Sequence, residues 1–280
     1  MTILDMLTSS SRYLARHGVE DPRLNAEHLL AYVLGKRRLE LYLELGRHIR
    51  ETECRTLREL VRSRAEHCPL QYLLGTAEFF GRQFFCDCRA MIPRQETELL
   101  VELALPSLLC LKRPISLLDV GTGSGVIAAT LAIELPQASV DATDISSDAL
   151  ALAAENLEKH CLAGRVQLQQ VDLFPICEFH RYEAVFANLP YIPTEEIVTL
   201  PLEVQYEPVE ALDGGLRGMA TIKRLIKAVD IHLHPGGRLW LEIGSQQEEV
   251  TTSLLRKNGF GEVNVHRDYS NFPRFVSTKK

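Results

Sequence analysis

The run Ile115-Ser116-Leu117-Leu118-Asp119-Val120 passes directly into Gly121-Thr122-Gly123-Ser124-Gly125 and then into an apolar stretch over residues 126–135. An apolar run of strand length without alternation needs cover on both faces, which implies a parallel sheet with helices on each side. Glycines at alternate positions let the backbone turn sharply and approach a ligand closely. In open α/β sheets such a loop lies at the carboxyl ends of the strands, where ligands bind at the topological switch point. One feature thus constrains both the fold and the place of the site.

The same loop discriminates between ligands. A dinucleotide fingerprint needs Gly or Ala where Val126 stands, and a P-loop needs a Lys that is missing. Gly-x-Gly-x-Gly after an acidic residue instead resembles the glycine loop of class I S-adenosylmethionine-dependent methyltransferases. Asp144 ends the next run, about twenty residues on, where a carboxylate accepts both hydroxyls of a ribose. Ser146 or Ser147 is there to cap the following helix, so Asp144 is not required as a cap. Asp172 ends the third run and is expected near an adenine or as a surface turn residue. Asp119 is either near the methionine end of the cofactor or a buried anchor for the glycine loop.

From residue 114 onward strands and helices alternate. The runs ASVDATD, RVQLQQVD, YEAVFANLP and GRLWLEIG read as strands, the last after a long insertion. A helix is expected from Gly244 to about Asn258, followed by GEVNVHRD and RFVST as a terminal hairpin with at least one antiparallel strand. The first 75 residues differ. Leu24, Leu29, Leu30, Val33 and Leu34 share one helical stripe, and a second helix is expected from about residue 52 to 68, before Pro69. Between these regions a Phe-rich stretch with Gly75 and Gly81 predicts a β-hairpin whose rings cover a seam between lobes.

At the end of the fourth strand stands Asn188-Leu189-Pro190-Tyr191, followed by Ile192-Pro193. A planar amide nitrogen is a poor nucleophile because its lone pair is delocalised into the carbonyl. Two acceptors that hold its NH₂ group in line with an electrophilic methyl favour attack, and the Asn188 side-chain oxygen and Leu189 carbonyl supply two. Pro190 keeps residue 189 extended, and Tyr191 is placed to cover a planar acceptor. Asn-Pro-Pro-Tyr is the signature of methyltransferases acting on amide or exocyclic amino nitrogens. Leu189 replaces its first proline, and only its carbonyl is expected to matter.

The whole chain resembles the release-factor glutamine-N(5) methyltransferase family. The stretches DPRLNAEHLLAYVLG, PLQYLLGTAEFFG, IPRQETELLVE, EPVEALDGG and PGGRLWLEIG carry the likeness alongside the two loops, while DYSNFPRFV is a looser fit. The resemblance implies a Rossmann-like, mostly parallel seven-stranded sheet with an N-terminal all-helical domain and a hairpin linker. The implied bounds are 1–73 for substrate recognition, 74–92 for the linker and 93–280 for catalysis. It further implies methyl transfer from S-adenosyl-L-methionine, leaving S-adenosyl-L-homocysteine, to the glutamine of the Gly-Gly-Gln loop in class I peptide chain release factors. Gly121, Thr122, Gly123, Ser124, Gly125, Asp144, Asp172 and Leu173 would hold the cofactor. Asn188, Leu189, Pro190 and Tyr191 would hold the glutamine, with Asn188 also bordering the cofactor. Arg94 and Glu96 are candidates for closing the site or for a salt bridge and a cap.

Charge and cysteine content narrow the alternatives. The net charge is −6. Residues 1–75 carry 12 Lys/Arg against 10 Asp/Glu, and the remainder 19 against 27. An acidic catalytic lobe opposes a nucleic-acid amino-methyltransferase, which must bind phosphates. The sister activity on a ribosomal-protein glutamine shares the junction motifs and differs in the N-terminal lobe. Seven cysteines are too few for a disulfide scaffold, and Cys86-x-Cys88 lacks a second ligand pair, so no metal is expected. The N-terminus lacks the pattern of a signal peptide. The apolar stretches at 99–111 and 126–135 are interrupted by Glu102, Pro106 and Glu134. A cytoplasmic monomer without a membrane partner is expected.

Overall fold

The computed structural model describes residues 1–175 and 180–280. The chain forms two compact units, one of Met1–Thr76 with Pro201–Tyr206, the other of Ala77–Leu200 with Glu207–Lys280.

The first unit is helical. Helix α1 (Ile3–Arg16) opens on a reciprocal cap between Thr2 and Asp5 and buries Ile3, Met6, Leu7 and Leu14 at helical spacing. Helix α2 (Pro22–Leu34) starts on a proline and stops at Gly35, whose φ of +61° closes the last turn. Helices α3 (Glu51–Ala65) and α4 (Leu70–Leu74) complete the packing. The end of α3 corrects the expected boundary at 68. His67 takes a φ of +66°, and Cys68 N–H returns to the Ser63 carbonyl, so the chain leaves the helix before Pro69. The Arg64 side chain, 3% exposed, donates to Asn25 Oδ1 at 2.7 Å and pairs with Glu203. Tyr206 donates to the Glu66 carbonyl at 2.9 Å, so the 201–206 segment is tied to this unit at Glu203 and at Tyr206.

The second unit begins with the hairpin β1 (Thr76–Phe79) and β2 (Arg82–Phe85). Its two-residue turn, Phe80-Gly81, has φ +53° and +70°, the twist that matches a hairpin. Phe79 and Phe84 meet edge-to-face at 6.4 Å and join the main core with Leu100, Leu117 and Phe186. That corrects the expectation of a seam: these two rings belong to the α/β core itself.

Helix α5 (Gln95–Leu109) leads to β3 (Ile115–Val120), α6 (Val126–Glu134), β4 (Ala138–Asp144), α7 (Ser147–Lys159), β5 (Val166–Gln170) and β6 (Tyr182–Ala187). A one-turn α8 (Val209–Leu212) and helix α9 (Ala220–His232) precede β7 (Leu233–Glu242). Helix α10 (Glu248–Lys257) and the strands β8 (Glu262–Arg267) and β9 (Pro273–Lys279) end the chain. Seven strands form one sheet in the order β5-β4-β3-β6-β7-β9-β8. The first five are parallel, and β9 runs antiparallel to both its neighbours, β7 and β8, as the pattern of apolar runs and the terminal hairpin predict.

Register puts the site residues side by side. Val120 lies opposite Thr143 on one side and Ala187 on the other. The chain therefore leaves three adjacent strands at the same level, into Gly121, Asp144 and Asn188. Because β4 lies on one side of β3 and β6 on the other, this is the switch point of the sheet.

Candidate active site

The glycine loop is tied to β4 by three hydrogen bonds. Gly121 and Thr122 N–H both donate to the Thr143 carbonyl, at 2.8 and 2.9 Å, and Gly123 N–H donates to Asp144 Oδ2 at 2.9 Å. Gly121, Gly123 and Gly125 all have positive φ, a conformation that L side chains resist. Their surroundings assign them different work. A Cβ on Gly123 would meet nothing within 4 Å, so the missing side chain leaves room in the cavity. A Cβ on Gly121 would come 2.8 Å from Leu189 Cδ2, and one on Gly125 would come 3.1 Å from Ala153 Cβ. Gly121 thus lets the loop that follows β6 lie on the glycine loop, and Gly125 lets α6 lie on α7.

Asp119 is wholly buried beneath this loop. Its Oδ2 accepts from the Thr122 hydroxyl at 2.6 Å and from Ala128 N–H at 3.1 Å, while Oδ1 has no partner among the described residues. Burial pushes its carboxyl up to about 7, with Asp144 adding to the rise. Of the two sequence readings, the anchor role is the one with visible bonds. The Thr122 hydroxyl is turned inward by the same contact, and its carbonyl accepts from Gly125 N–H at 2.9 Å, so this residue shapes the loop from within.

A cavity of about 320 Å³ opens at the strand ends, within the range of small-molecule sites. All but two of the twelve expected site residues line it; the exceptions are Gly125 and Tyr191. Asp144 also accepts Ser146 N–H at 2.9 Å, while the Ser146 side chain caps α7 by accepting from Ala149 N–H. Each carboxylate oxygen has two acceptor sites, so Asp144 retains capacity for a ligand's hydroxyls. Asp172 pairs with Arg224 at 2.5 Å, with both side chains half-exposed at the cavity. Leu173 has a φ of +68°, and its carbonyl accepts from the Thr143 hydroxyl at 2.7 Å. An open glycine face, a carboxylate at the second strand end and an apolar wall at Leu173 and Ile145 fit an adenosyl cofactor.

The segment Asn188–Tyr191, which the sequence reading expects to be the acceptor loop, follows β6. Asn188 donates its Nδ2 to the Thr97 hydroxyl at 3.1 Å, and Thr97 donates to Glu242 Oε2 at 2.8 Å. Tyr191 donates its hydroxyl to Glu242 Oε1 at 3.4 Å. Burial pushes the Tyr191 phenol up, with the Glu242 charge adding to it. Tyr191 therefore stands behind the loop rather than on the cavity wall. Leu189 is 4% exposed and belongs to an apolar cluster with Val120, Met219 and Ile222. Its side chain has a packing role beyond the carbonyl singled out from sequence.

Sequence reasoning missed the braces of this loop. Ile192 N–H donates to the Leu212 carbonyl at 3.1 Å, and Gly214 N–H donates to the Ile192 carbonyl at 2.8 Å. A Cβ on Gly218 would fall 1.9 Å from the Tyr191 carbonyl oxygen. Gln247, 8% exposed, donates Nε2 to the Tyr191 carbonyl at 2.9 Å and to that of Gly218 at 3.2 Å. Glu207, 4% exposed, accepts from Ile92 N–H at 3.2 Å and from Arg94 at 2.5 Å. Arg94 is thus a salt-bridge partner, and Glu96 lies exposed in the first turn of α5. The stretches holding Thr97, Glu207, Gly214 and Glu242 carried the family likeness without an assigned role, which was the available signal.

The Cys86 thiol is buried and pushed up to about 12, whereas Cys88 is exposed; Cys177 lies outside the described residues. Among the described residues no helix is long and apolar enough to cross a membrane.

Comparison with known proteins agrees with this geometry. Residues 5–75 match the family described as PrmC N-terminal domain, and residues 96–200 match the methyltransferase small domain. The chain is 38% identical over 276 residues to the release factor glutamine methyltransferase of Geobacter sulfurreducens, covering 98% of this chain and 95% of that one. It is 42% identical over 260 residues to the protein of the same name from Moorella thermoacetica, covering 92% and 91%. Among solved structures, a methyltransferase from Pyrococcus furiosus superposes with a TM-score of 0.52 at 17% identity, over 72% of this chain and 90% of that one. A 16S rRNA N2 methyltransferase of T. thermophilus in complex with AdoMet and guanosine gives 0.53 at 19% identity, over 73% and 49%. At such identities these two structures speak for the class I methyltransferase fold alone. The relatives matched along almost their whole length speak for more: this chain is a member of the release factor glutamine methyltransferase family.

Proposed function

We propose that the chain transfers a methyl group from S-adenosyl-L-methionine to the side-chain amide nitrogen of the glutamine in the Gly-Gly-Gln loop of class I peptide chain release factors. The observation that carries this reading is the orientation of Asn188. Its NH₂ end is engaged by Thr97, so its carbonyl end is the one available at the cavity, beside Gly121 and Leu189. An acceptor placed there suits a substrate that presents N–H groups.

When bound, the cofactor supplies an electrophilic methyl group on a sulfonium. The chain's own residues then do two things. Gly121 to Ser124 and Asp144 would hold the adenosyl moiety, and Asp172 and Leu173 would receive its adenine. Asn188 Oδ1 and the Leu189 carbonyl accept the two N–H bonds of the glutamine amide and fix the nitrogen for attack. Positioning of this kind contributes several kcal/mol. The nitrogen's proton becomes acidic as the new C–N bond forms, so no side chain of tuned basicity is required. Pro190 and Tyr191 keep the loop in shape, the first from within and the second from behind.

Helical residues 1–73 are assigned to recognition of the release factor, 74–92 to the linker and 93–280 to catalysis. The enzyme is read as a cytoplasmic monomer needing no metal.

Replacing Asn188 with Ala tests the reading directly. Turnover is expected to fall below detection while cofactor affinity, measured by calorimetry, stays within about tenfold. Near-full activity in Asn188→Ala would overturn the two-acceptor arrangement.

A further inference from the structure

A primary amide has two ends of almost the same shape and opposite hydrogen-bonding sense. Half a turn about the last side-chain bond of Asn188 would put a donor where an acceptor is needed. A site that relies on Asn188 to receive an N–H must therefore select one of two nearly isosteric states. The glycine loop and Pro190 do not make that choice, because neither offers Asn188 a directional partner.

Thr97 does. Its side chain lies in a buried position on α5, 3% exposed, and its hydroxyl carries one hydrogen. That hydrogen is directed to Glu242 Oε2 at 2.8 Å. Only lone pairs remain on the Asn188 side, and they take Nδ2 at 3.1 Å. Glu242, 1% exposed at the end of β7, is acceptor-only as a carboxylate, so it enforces the direction of the Thr97 hydroxyl. Its other oxygen receives the Tyr191 hydroxyl at 3.4 Å. Placing a carboxylate there is costly unless its oxygens are occupied, and both are occupied by groups that lead to the acceptor loop.

We infer that Thr97 and Glu242 are positioning residues for methyl transfer: the chain Glu242–Thr97–Asn188 sets the polarity of the acceptor site by holding the Asn188 carbonyl oxygen toward the cavity, and Tyr191 ties the same carboxylate to the far end of the loop. The inference rests on the reading of Asn188 as the acceptor of the substrate amide.

The test uses the full chain with a purified release factor, measuring kcat, KM for the release factor and cofactor affinity in four variants. Thr97→Val keeps the shape and removes the hydroxyl. Its kcat is expected to fall by about a hundredfold, the loss typical of a misplaced reacting group, with KM and cofactor affinity held within about threefold. Thr97→Ser restores the hydroxyl and recovers kcat to within about fivefold of the parent. Glu242→Gln still offers an oxygen to Thr97 and loses at most about tenfold, whereas Glu242→Ala falls with Thr97→Val.

A Thr97→Val enzyme with kcat within about threefold of the parent overturns the inference. So does a Thr97→Ser enzyme as impaired as Thr97→Val, or a loss shared equally by cofactor binding. If Thr97→Val does not fold, the Glu242 pair decides: equal losses in Glu242→Gln and Glu242→Ala contradict the relay. A second readout is independent of the methyl acceptor. The Asn188 side-chain NH₂ resonances, assigned by their loss in Asn188→Ala, should exchange with solvent at least about tenfold faster in Thr97→Val and in Glu242→Ala than in the parent. Unchanged exchange refutes the relay. A parent enzyme that methylates no glutamine refutes the substrate reading alone.

Discussion

Asp119 and Glu242 are both buried carboxyl groups pushed up to about 7, and they set two pH responses of opposite sense. A carboxyl whose folded pKa is raised holds its proton longer in the folded state than in the unfolded one. Its contribution to stability is therefore greatest below the unfolded value near 4 and is lost as pH rises through about 7. Denaturant titrations between pH 5 and pH 8, about either side of that value, should show stability falling, and less steeply in Asp119→Asn. Turnover should run the other way. The relay is firmest with Glu242 ionised; burial and Glu96 oppose that charge, while the hydrogen bond from Thr97, Arg274 and the hydrogen bond from Tyr191 favour it. An acidic limb in kcat with a midpoint near about 7 is expected, and it should vanish in Glu242→Gln. A midpoint unchanged in Glu242→Gln would assign the limb to another group. The residues that carry this balance were not legible from sequence, because Thr97 and Glu242 are 145 positions apart and meet only once the sheet is assembled. Asn188 and Asp144 were legible, since each directly ends an apolar run.

Between elements, the acceptor loop is shaped by close approach of backbone to backbone. Gly218, with φ +66°, sits where a Cβ would fall 1.9 Å from the Tyr191 carbonyl oxygen. Gly218→Ala should therefore shift the loop, lowering kcat by about a hundredfold and reducing the thermal midpoint by several degrees. Gly164→Ala is the control, because a Cβ there meets nothing within 4 Å; it should leave both quantities unchanged. Leu189→Ala removes a side chain packed between Gly121 and the apolar cluster beneath it, and should cost about 2–5 kcal/mol of stability, measured by denaturant titration. Leu189→Pro keeps the carbonyl and part of that volume, so its activity should exceed that of Leu189→Ala. The strands were readable because parallel strands are apolar on both faces. Helix α9 went unread inside the long insertion, although Ile222, Leu225, Ile226 and Val229 follow helical spacing. A glycine-rich stretch before it, Gly214, Gly215 and Gly218, masked its start; Gly214 and Gly218 lie against the carbonyls of Pro190 and Tyr191, and Gly215 lies against Ala220 of α9.

At the scale of the whole chain, the net charge of −6 and its concentration after residue 75 favour a protein acceptor over a phosphate-bearing one. Pro201–Tyr206 folds with the helical unit through Arg64 and Glu66, although the sequence places it within the catalytic region. A division read along the chain is blind to such a return, because the ion pair that makes it joins residues 139 positions apart. The assignment of a protein glutamine as acceptor is the central claim, and labelled methyl transfer tests it most directly. Purified enzyme is given labelled S-adenosyl-L-methionine with a class I release factor, a ribosomal protein, DNA or tRNA in parallel. Label on the glutamine of the release factor's Gly-Gly-Gln loop, located by peptide mass analysis, is the predicted result. Label on the ribosomal protein or on nucleic acid, with none on the release factor, would contradict it.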